Sequence, residues 1–402
     1  MSMQKERLNV RTFERFKVLL VVSSYLPNLG GLQSVTSQLA RELQRRGHRV
    51  EVLTQRYPRA LPAAEVIDGV RVRRLLFLTP RPRDLFRGRL DLFLAGFFYF
   101  PVTLLRLLWR IACEKPQVVN LHFVGAPALF LLVARTLMRF RLVVSLHGDD
   151  VEGLPRGTRF DRWLFRATLR RADAVTACSQ YLLNQALVIE PSVAQKAHVI
   201  YNGTDLSRSP FSPPPRFEDL RALEEGKEGV GLLAVGRLMP KKGFYVMLHA
   251  FAQRGSATRK LELVLIGDGP ERAALESLKQ ELGLDGTVTL RGAEDRDVVA
   301  CAMASSDIVV IPSRQEPFGM VALEAMASGK PVIATRVGGL PEVLDGADAV
   351  LVEPENPSAL AQAIDRTLSR LEREPDYGAR NREVAARFST ARMVDSYLDL
   401  YR

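Results

Sequence analysis

The sequence predicts an α/β protein built from two doubly wound parallel sheets. Short β-branched runs alternate with helical patterns along the chain. The alternation breaks at Ser207–Gly229, rich in proline at its start and charged afterwards, and then restarts. No repeat of 20–50 residues is present, which excludes a solenoid.

In chain order, the first half reads as strand Lys17–Ser23, helix Leu32–Arg46 and strand Arg49–Thr54. Strands follow at Val70–Leu76, Gln117–Leu121, Arg141–Leu146, Ala174–Ala177 and His198–Tyr201. The stretch 207–229 is a linker, since neither a helix nor a central strand tolerates its proline run. Beyond it come strand Val230–Val235, helix Phe244–Gln253, strand Leu261–Ile266 and helix Glu271–Leu282. Further strands are expected at Val288–Leu290, Ile308–Ile311 and Pro331–Ala334, with helices between them. The expected division is 1–206, linker 207–229, 230–386, and a last helix, 387–402, returning to the first domain. Two such sheets leave a cleft between their strand C-terminal edges, where ligands of open parallel sheets bind.

Composition narrows the class. With 402 residues, 47% apolar and 25% charged, the chain is neither collagen-like, disordered nor a disulfide framework. Its three cysteines, Cys113, Cys178 and Cys301, are widely spaced, which fits a reducing cytosol and no cysteine zinc site. Residues 1–16 are charged and lack the apolar core of a secretory signal.

The net charge of +11 is uneven: residues 1–205 carry +15 and the remainder −4. A basic first half points to an anionic partner, such as membrane lipid or a charged substrate, or to an arginine-rich solvated surface. No recognised nucleic-acid motif accompanies it. The basic cluster Arg81–Arg89 precedes the apolar segment Leu90–Ala112, which fits either an interfacial helix on anionic lipid or a buried helix covering a sheet. Its longest uncharged run, Leu92–Leu105, has 14 residues, too short for an expected membrane span.

Chemistry-bearing groups gather after strand ends. Gly30 and Gly31 permit close backbone approach, and the following helix start offers N–H groups to a phosphate. Gly267-Asp268-Gly269 is followed by Arg272 where a dinucleotide fingerprint needs glycine or alanine, which argues against an oxidoreductase. His147 leaves a strand end in HGDD and is the best functional histidine. His48, His122, His198 and His249 read as core or element-edge residues, and no spacing suggests a metal. Arg237 and Lys242 suit a diphosphate. Glu316 stands in a loop before a helix starting near Phe318 or Gly319. Glu324 lies on that helix and faces inward, where a carboxylate needs a partner. The N–H groups of Gly319, Met320 and Val321 are free to hold an anion.

These residues together resemble the retaining glycosyltransferases of family 4, which have the GT-B fold of two facing Rossmann-like domains. The resemblance rests on Gly30-Gly31, His147-Gly148, Asn202-Gly203-Thr204-Asp205, Gly236-Arg237 with Lys242-Gly243, and Gly267–Pro270. Above all it rests on the E-x7-E motif, EPFGMVALE from Glu316 to Glu324, followed by Gly338-Gly339 and Glu342.

The resemblance implies a nucleotide-sugar donor, UDP- or GDP-linked, held mainly by the second domain, with no metal and no further cofactor. Arg237, Lys242 and the Gly319–Val321 amides would neutralise the diphosphate. Glu324 would hold the ribose hydroxyls, and Glu316 the transferred sugar. Phe318 would border the donor, His147 would sit near its sugar, and Gly30-Gly31 would meet diphosphate and acceptor. His147, Glu316, Arg237 and Lys242 are the expected catalytic set. A lipid-linked or cell-envelope glycan acceptor is expected in the first domain. The expected location is the cytoplasm or the cytoplasmic face of a membrane. An epimerase of the same fold, or a non-catalytic anionic-lipid-binding protein, are the competing expectations.

Overall fold

The computed structural model describes residues 15–28, 30–79, 88–205, 230–253 and 261–402, and for Leu92 the backbone alone. The expected linker lies outside the described residues.

The first sheet has eight strands: β1 Lys17–Val22, β2 Arg49–Gln55, β3 Ala64–Ile67, β4 Val70–Leu75, β5 Val118–His122, β6 Arg141–Leu146, β7 Ala174–Ala177 and β8 Ala197–Val199. Their spatial order is β3-β4-β2-β1-β5-β6-β7-β8. All neighbours are parallel except β3 and β4, an antiparallel edge hairpin. The second sheet comprises β9 Val230–Val235, β10 Leu261–Ile266, β11 Val288–Gly292, β12 Ile308–Ile311, β13 Val332–Thr335 and β14 Ala349–Val352, in the order β11-β10-β9-β12-β13-β14. Strands such as VVNLH and IVVI are buried along their whole length, as expected where helices cover both faces of a parallel sheet.

In the first domain α1 is Gly31–Arg45, α2 Leu90–Glu114, α3 Ala126–Leu137, α4 Asp149–Glu152, α5 Arg159–Arg171 and α6 Gln180–Ile189. The second adds α7 Phe244–Gln253, α8 Arg272–Glu281, α9 Arg296–Ser305, α10 Met320–Ala327, α11 Leu340–Val343, α12 Pro357–Arg373 and α13 Asn381–Ala385. The last helix, α14 Thr390–Tyr401, lies against α1 and β6 of the first sheet. There Met393, Val394, Tyr397 and Leu398 join a core with Val18, Leu20 and Leu39.

Two expectations need correction. The strand expected at His198–Tyr201 ends at Val199, and Ile200 only donates its N–H to Ala177 O. The apolar segment forms one 25-residue helix despite Pro101, and Phe93–Glu114 is long and apolar enough to cross a membrane by length and composition. The uncharged run stops at Arg106, which is exposed, but the helix continues through it, and Arg110 one turn on turns inward to Glu51 at 2.5 Å and is largely buried. One face of this helix is tied to the first domain: Leu107 and Ile111 are in the core, Phe100 packs on Phe130, and Thr103 donates to Leu76 O at 2.8 Å. Its other face exposes Leu94, Phe97, Phe98, Leu105 and Trp109.

A single apolar cluster crosses between the domains, joining Leu146 and Leu182 with Phe318, Leu340 and Phe388. The cleft is therefore closed at one end by packing, and the loops after β6 and β12 meet there.

Candidate active site

The close approach of those loops explains two glycines. Gly148, at φ 135°, stands where a Cβ would lie 2.2 Å from Cγ of Pro317. Gly338, at φ 57°, faces the Glu316 carbonyl, which a Cβ would meet at 1.9 Å. Gly339 N–H donates to that same carbonyl at 2.9 Å. The Glu316 backbone is thus gripped by the loop after β13.

The Glu316 side chain is gripped as well. Its Oε2 accepts from Lys242 Nζ at 2.6 Å and from Ser313 Oγ at 3.4 Å. Both partners of the ion pair are largely buried, so the pair fixes each group in one place. Neighbouring Lys241 reaches across the cleft to Asp149 at 2.8 Å. Arg237 is exposed and makes no ion pair among the described residues.

Helix α10 begins one residue later than the upper expectation, with Gly319 as its N-cap at φ 114°. Its first internal bond runs from Leu323 N–H to Gly319 O, so the N–H groups of Gly319, Met320 and Val321 have no partner within the helix. Met320 approaches the Gly30-Gly31 loop: a Cβ on Gly31 would lie 3.7 Å from its Cγ. The ring of Phe318 is buried against Tyr201 and Phe388.

Glu324 is half-buried, with its Oε1 3.7 Å from Arg296 of α9. Burial raises its pKa and Arg296 partly offsets this. Arg296 was not legible as a partner, because nothing in sequence spacing places α9 beside α10.

In the first domain, His147 follows β6 with its ring half-buried and Nε2 2.9 Å from Nδ1 of His122. His122 is a core residue as expected, yet it belongs to the same cluster. Asp150 Oδ1 accepts the backbone N–H groups of His147 and Gly148, at 3.2 and 2.9 Å, while its Oδ2 accepts Val124 N–H at 3.2 Å. One carboxylate thereby ties the loops after β5 and β6 together. Burial lowers His147 to about 4 and raises Asp150 to about 6. Glu152 was also missed: both its carboxylate oxygens are buried without a hydrogen-bond partner. Its pKa is raised by burial, against Lys241, with Asp149, Glu316 and Asp150 adding to the rise.

A cavity of about 220 Å³ opens beside this loop, lined by Phe123, Asp149, Leu154, Phe160 and Leu164. Another of about 210 Å³ lies near Lys17, His48 and Arg110, at the opposite edge of the first sheet and away from the groups just described. Among the described residues, no cluster of three or more His, Cys, Asp or Glu could hold a metal ion.

Comparison with known proteins bears on both halves. Residues 229–370 match the family described as glycosyl transferases group 1, and residues 29–208 match glycosyltransferase family 4. An uncharacterized glycosyltransferase of Methanocaldococcus jannaschii is 31% identical over 379 residues, covering 88% of this chain and 89% of that one. A D-inositol 3-phosphate glycosyltransferase of Saccharomonospora viridis is 30% identical over 400 residues, with 93% and 89% covered. Among solved structures, an Anabaena protein in complex with UDP-glucose superposes with a TM-score of 0.73 at 20% identity, over 96% of this chain and 99% of that one.

Proposed function

The chain belongs to glycosyltransferase family 4 and has the GT-B fold, and from that premise we propose that it moves a sugar, with retained anomeric configuration and without a metal, from a UDP- or GDP-linked donor to an acceptor hydroxyl. The observation that carries this reading is the Lys242–Glu316 pair, fixed beside the unpaired N–H groups at the start of α10 and pressed by Pro317 against Gly148.

The roles follow from the charges. Departure of a nucleoside diphosphate builds negative charge on the leaving phosphate. Arg237, the remaining N–H groups of Lys242 and the amides of Gly319, Met320 and Val321 meet that charge more strongly in the transition state than before it. Glu324 accepts hydrogen bonds from the ribose hydroxyls. Glu316, held by Lys242, orients the transferred sugar, and His147 meets the same sugar from the opposite domain. Gly30 and Gly31 let the first domain's backbone approach the diphosphate and the attacking hydroxyl. The acceptor attacks from the face that the diphosphate leaves, through an oxocarbenium-like state, the bond from the anomeric carbon to the phosphate oxygen breaking as that oxygen takes the hydroxyl proton.

The acceptor is a lipid-linked or cell-envelope glycan precursor. The exposed face of α2, with Phe97, Phe98 and Trp109, shares a helical layer with α3 and α5, and α5 exposes Phe160 and Trp163 among Arg159, Arg162 and Arg166. Aromatic side chains beside arginines suit an anionic membrane surface. Flotation with anionic vesicles at low salt should carry the protein, and neutral vesicles should not; equal behaviour removes the membrane from this reading.

The deciding experiment is a metal-free thermal-shift panel with UDP, GDP, ADP and dTDP, followed by NMR of the product anomer. One nucleoside diphosphate at about 100 times its Kd should stabilise by roughly 2.7 kcal/mol. An inverted product overturns retention. Donor conversion without any acceptor would show epimerisation instead.

A further inference from the structure

His122 ends β5 with no exposed surface, and its Nδ1 lies 2.9 Å from Nε2 of His147. The rings stack at 25° with centroids 5.1 Å apart. The ring of Tyr397, from α14, stands 5.9 Å from His122 on another side. Nε2 of His122 is buried and has no hydrogen-bond partner.

The sheet register places this pair on a polar row. His122 pairs with Ser145 across β5 and β6, and Asn120 and Ser145 project to the same face as the two histidines. Tyr397 OH donates to Ser145 Oγ at 3.1 Å, and Ser145 Oγ donates to Asn120 Oδ1 at 2.9 Å. Asn120 Nδ2 in turn donates to Tyr401 OH at 2.9 Å. The last helix of the chain thus braces the floor beneath the histidines.

Two neutral imidazoles joined nitrogen to nitrogen share one proton, so one ring donates and the other accepts. Burial holds both rings below the usual histidine range, which keeps both neutral at neutral pH. If His147 donated from Nε2, His122 would accept at Nδ1 and carry its own proton on Nε2. That proton would be a buried N–H with no acceptor, a rare feature in native proteins. If His122 donates from Nδ1, only a lone pair is left unpartnered at Nε2. The second arrangement forces His147 to carry its proton on Nδ1.

We propose that His122 is a positioning residue that fixes His147 as its Nδ1–H tautomer, so that His147 meets its ligand as a hydrogen-bond donor. A donor at that place suits an oxygen of the transferred sugar or of the leaving diphosphate. The tautomer follows from the pair alone, and only the kinetic consequence rests on the glycosyl-transfer reading.

The experiment compares wild type with His122→Asn and His122→Leu. Asparagine can place an N–H near the position of Nδ1, whereas leucine cannot. Ring ¹⁵N NMR of histidine-labelled protein at pH 7 should show His147 protonated on Nδ1 in the wild type and in H122N, and on Nε2 in H122L. Turnover should fall about tenfold or more in H122L with donor KM within about twofold, and H122N should restore most of it. A wild-type His147 protonated on Nε2 overturns the proposal, as does an H122L protein with unchanged tautomer. Should H122L not fold, the wild-type spectrum decides. Absence of turnover with every donor would count against the glycosyl-transfer reading and leave the NMR result standing.

Discussion

Glu342 of the second domain accepts the backbone N–H groups of Gln180 and Tyr181 of the first, each at 2.7 Å. Those two groups open α6 and have no partner within their own helix. Ser179 completes the cap by accepting Leu182 N–H, and its hydroxyl donates to Pro317 O at 2.6 Å. A side chain of one domain therefore terminates a helix of the other, and the negative charge sits at the helix end that favours it.

Glu342→Gln tests how far this clasp holds the cleft. A carboxamide keeps one acceptor oxygen but sets an NH2 group against the second backbone N–H. Hydrogen bonds to charged groups are worth about 1.5–3 kcal/mol, so a loss of about 2 kcal/mol is expected in denaturant unfolding. Weaker nucleotide binding should accompany it, because the first domain would no longer be held over the second. Unfolding indistinguishable from wild type would show that the bonds contribute little to closure.

The two cations after β9 should behave differently when removed. Arg237 is exposed and unpaired among the described residues, so Arg237→Ala should change stability by no more than about 0.5 kcal/mol. Its loss should still weaken nucleoside diphosphate binding about 10–100-fold, as expected for a lost charge-assisted bond. Lys242→Ala removes the partner of a largely buried carboxylate and should cost about 3 kcal/mol of stability as well as binding. Calorimetric titration and urea unfolding of both variants separate these outcomes. Equal destabilisation by the two would contradict the geometry.

Most strands and the E-x7-E helix were legible because fully buried β-branched runs and small-residue helices carry strong local signals. Five strands and one helix coincide with their expected ends: Arg141–Leu146, Ala174–Ala177, Val230–Val235, Leu261–Ile266 and Ile308–Ile311, and helix Phe244–Gln253. The edge strands Ala64–Ile67 and Ala349–Val352 went unseen, since both are partly exposed and lack the fully buried run that marks the central strands. The partners of the site residues were the larger omission. His122 and His147 are 25 positions apart, and Glu342 lies 161 from Tyr181. Only the strand order and the docking of one domain on the other bring them together, and neither is written in local pattern. The ion pair between Lys242 and Glu316 has the same origin, because each residue alone reads as a binding charge.

Acid stability should expose the neutral state of His147. As pH falls from 6.5 to about 4, the unfolded chain takes up the His147 proton and the folded chain does not, so stability is lost across that window. Asp150 acts oppositely: from about 6 down to 3.8 the folded chain takes its proton first, and stability is gained. Each amounts to about 3 kcal/mol by linkage, so the two nearly cancel in the wild type. His147→Asn removes the first contribution and keeps those of Asp150 and of His122, which burial also holds neutral. The variant should gain stability relative to wild type as pH drops from 6.5 to 4, read as diverging Tm curves. Parallel curves would mean that His147 is not held neutral.

Glu152 is a carboxyl group whose buried oxygens receive no hydrogen bond. Both its oxygens lack partners, and burial outweighs the help of Lys241, so its ionised form is disfavoured in the folded chain. The folded state then binds the Glu152 proton more tightly than the unfolded state, and a stability cost sets in as pH rises past the ordinary glutamate range. Glu152→Gln should be more stable than wild type at pH 8, by about 1 kcal/mol, with the advantage shrinking toward pH 5. Unsatisfied charges of this kind persist where function needs them. Glu152 lies on α4, directly after the loop that carries His147, and its carboxylate feels the charge of Glu316. Turnover should therefore fall in the variant even as stability rises. A variant both more stable and fully active would show that the carboxylate serves no ligand.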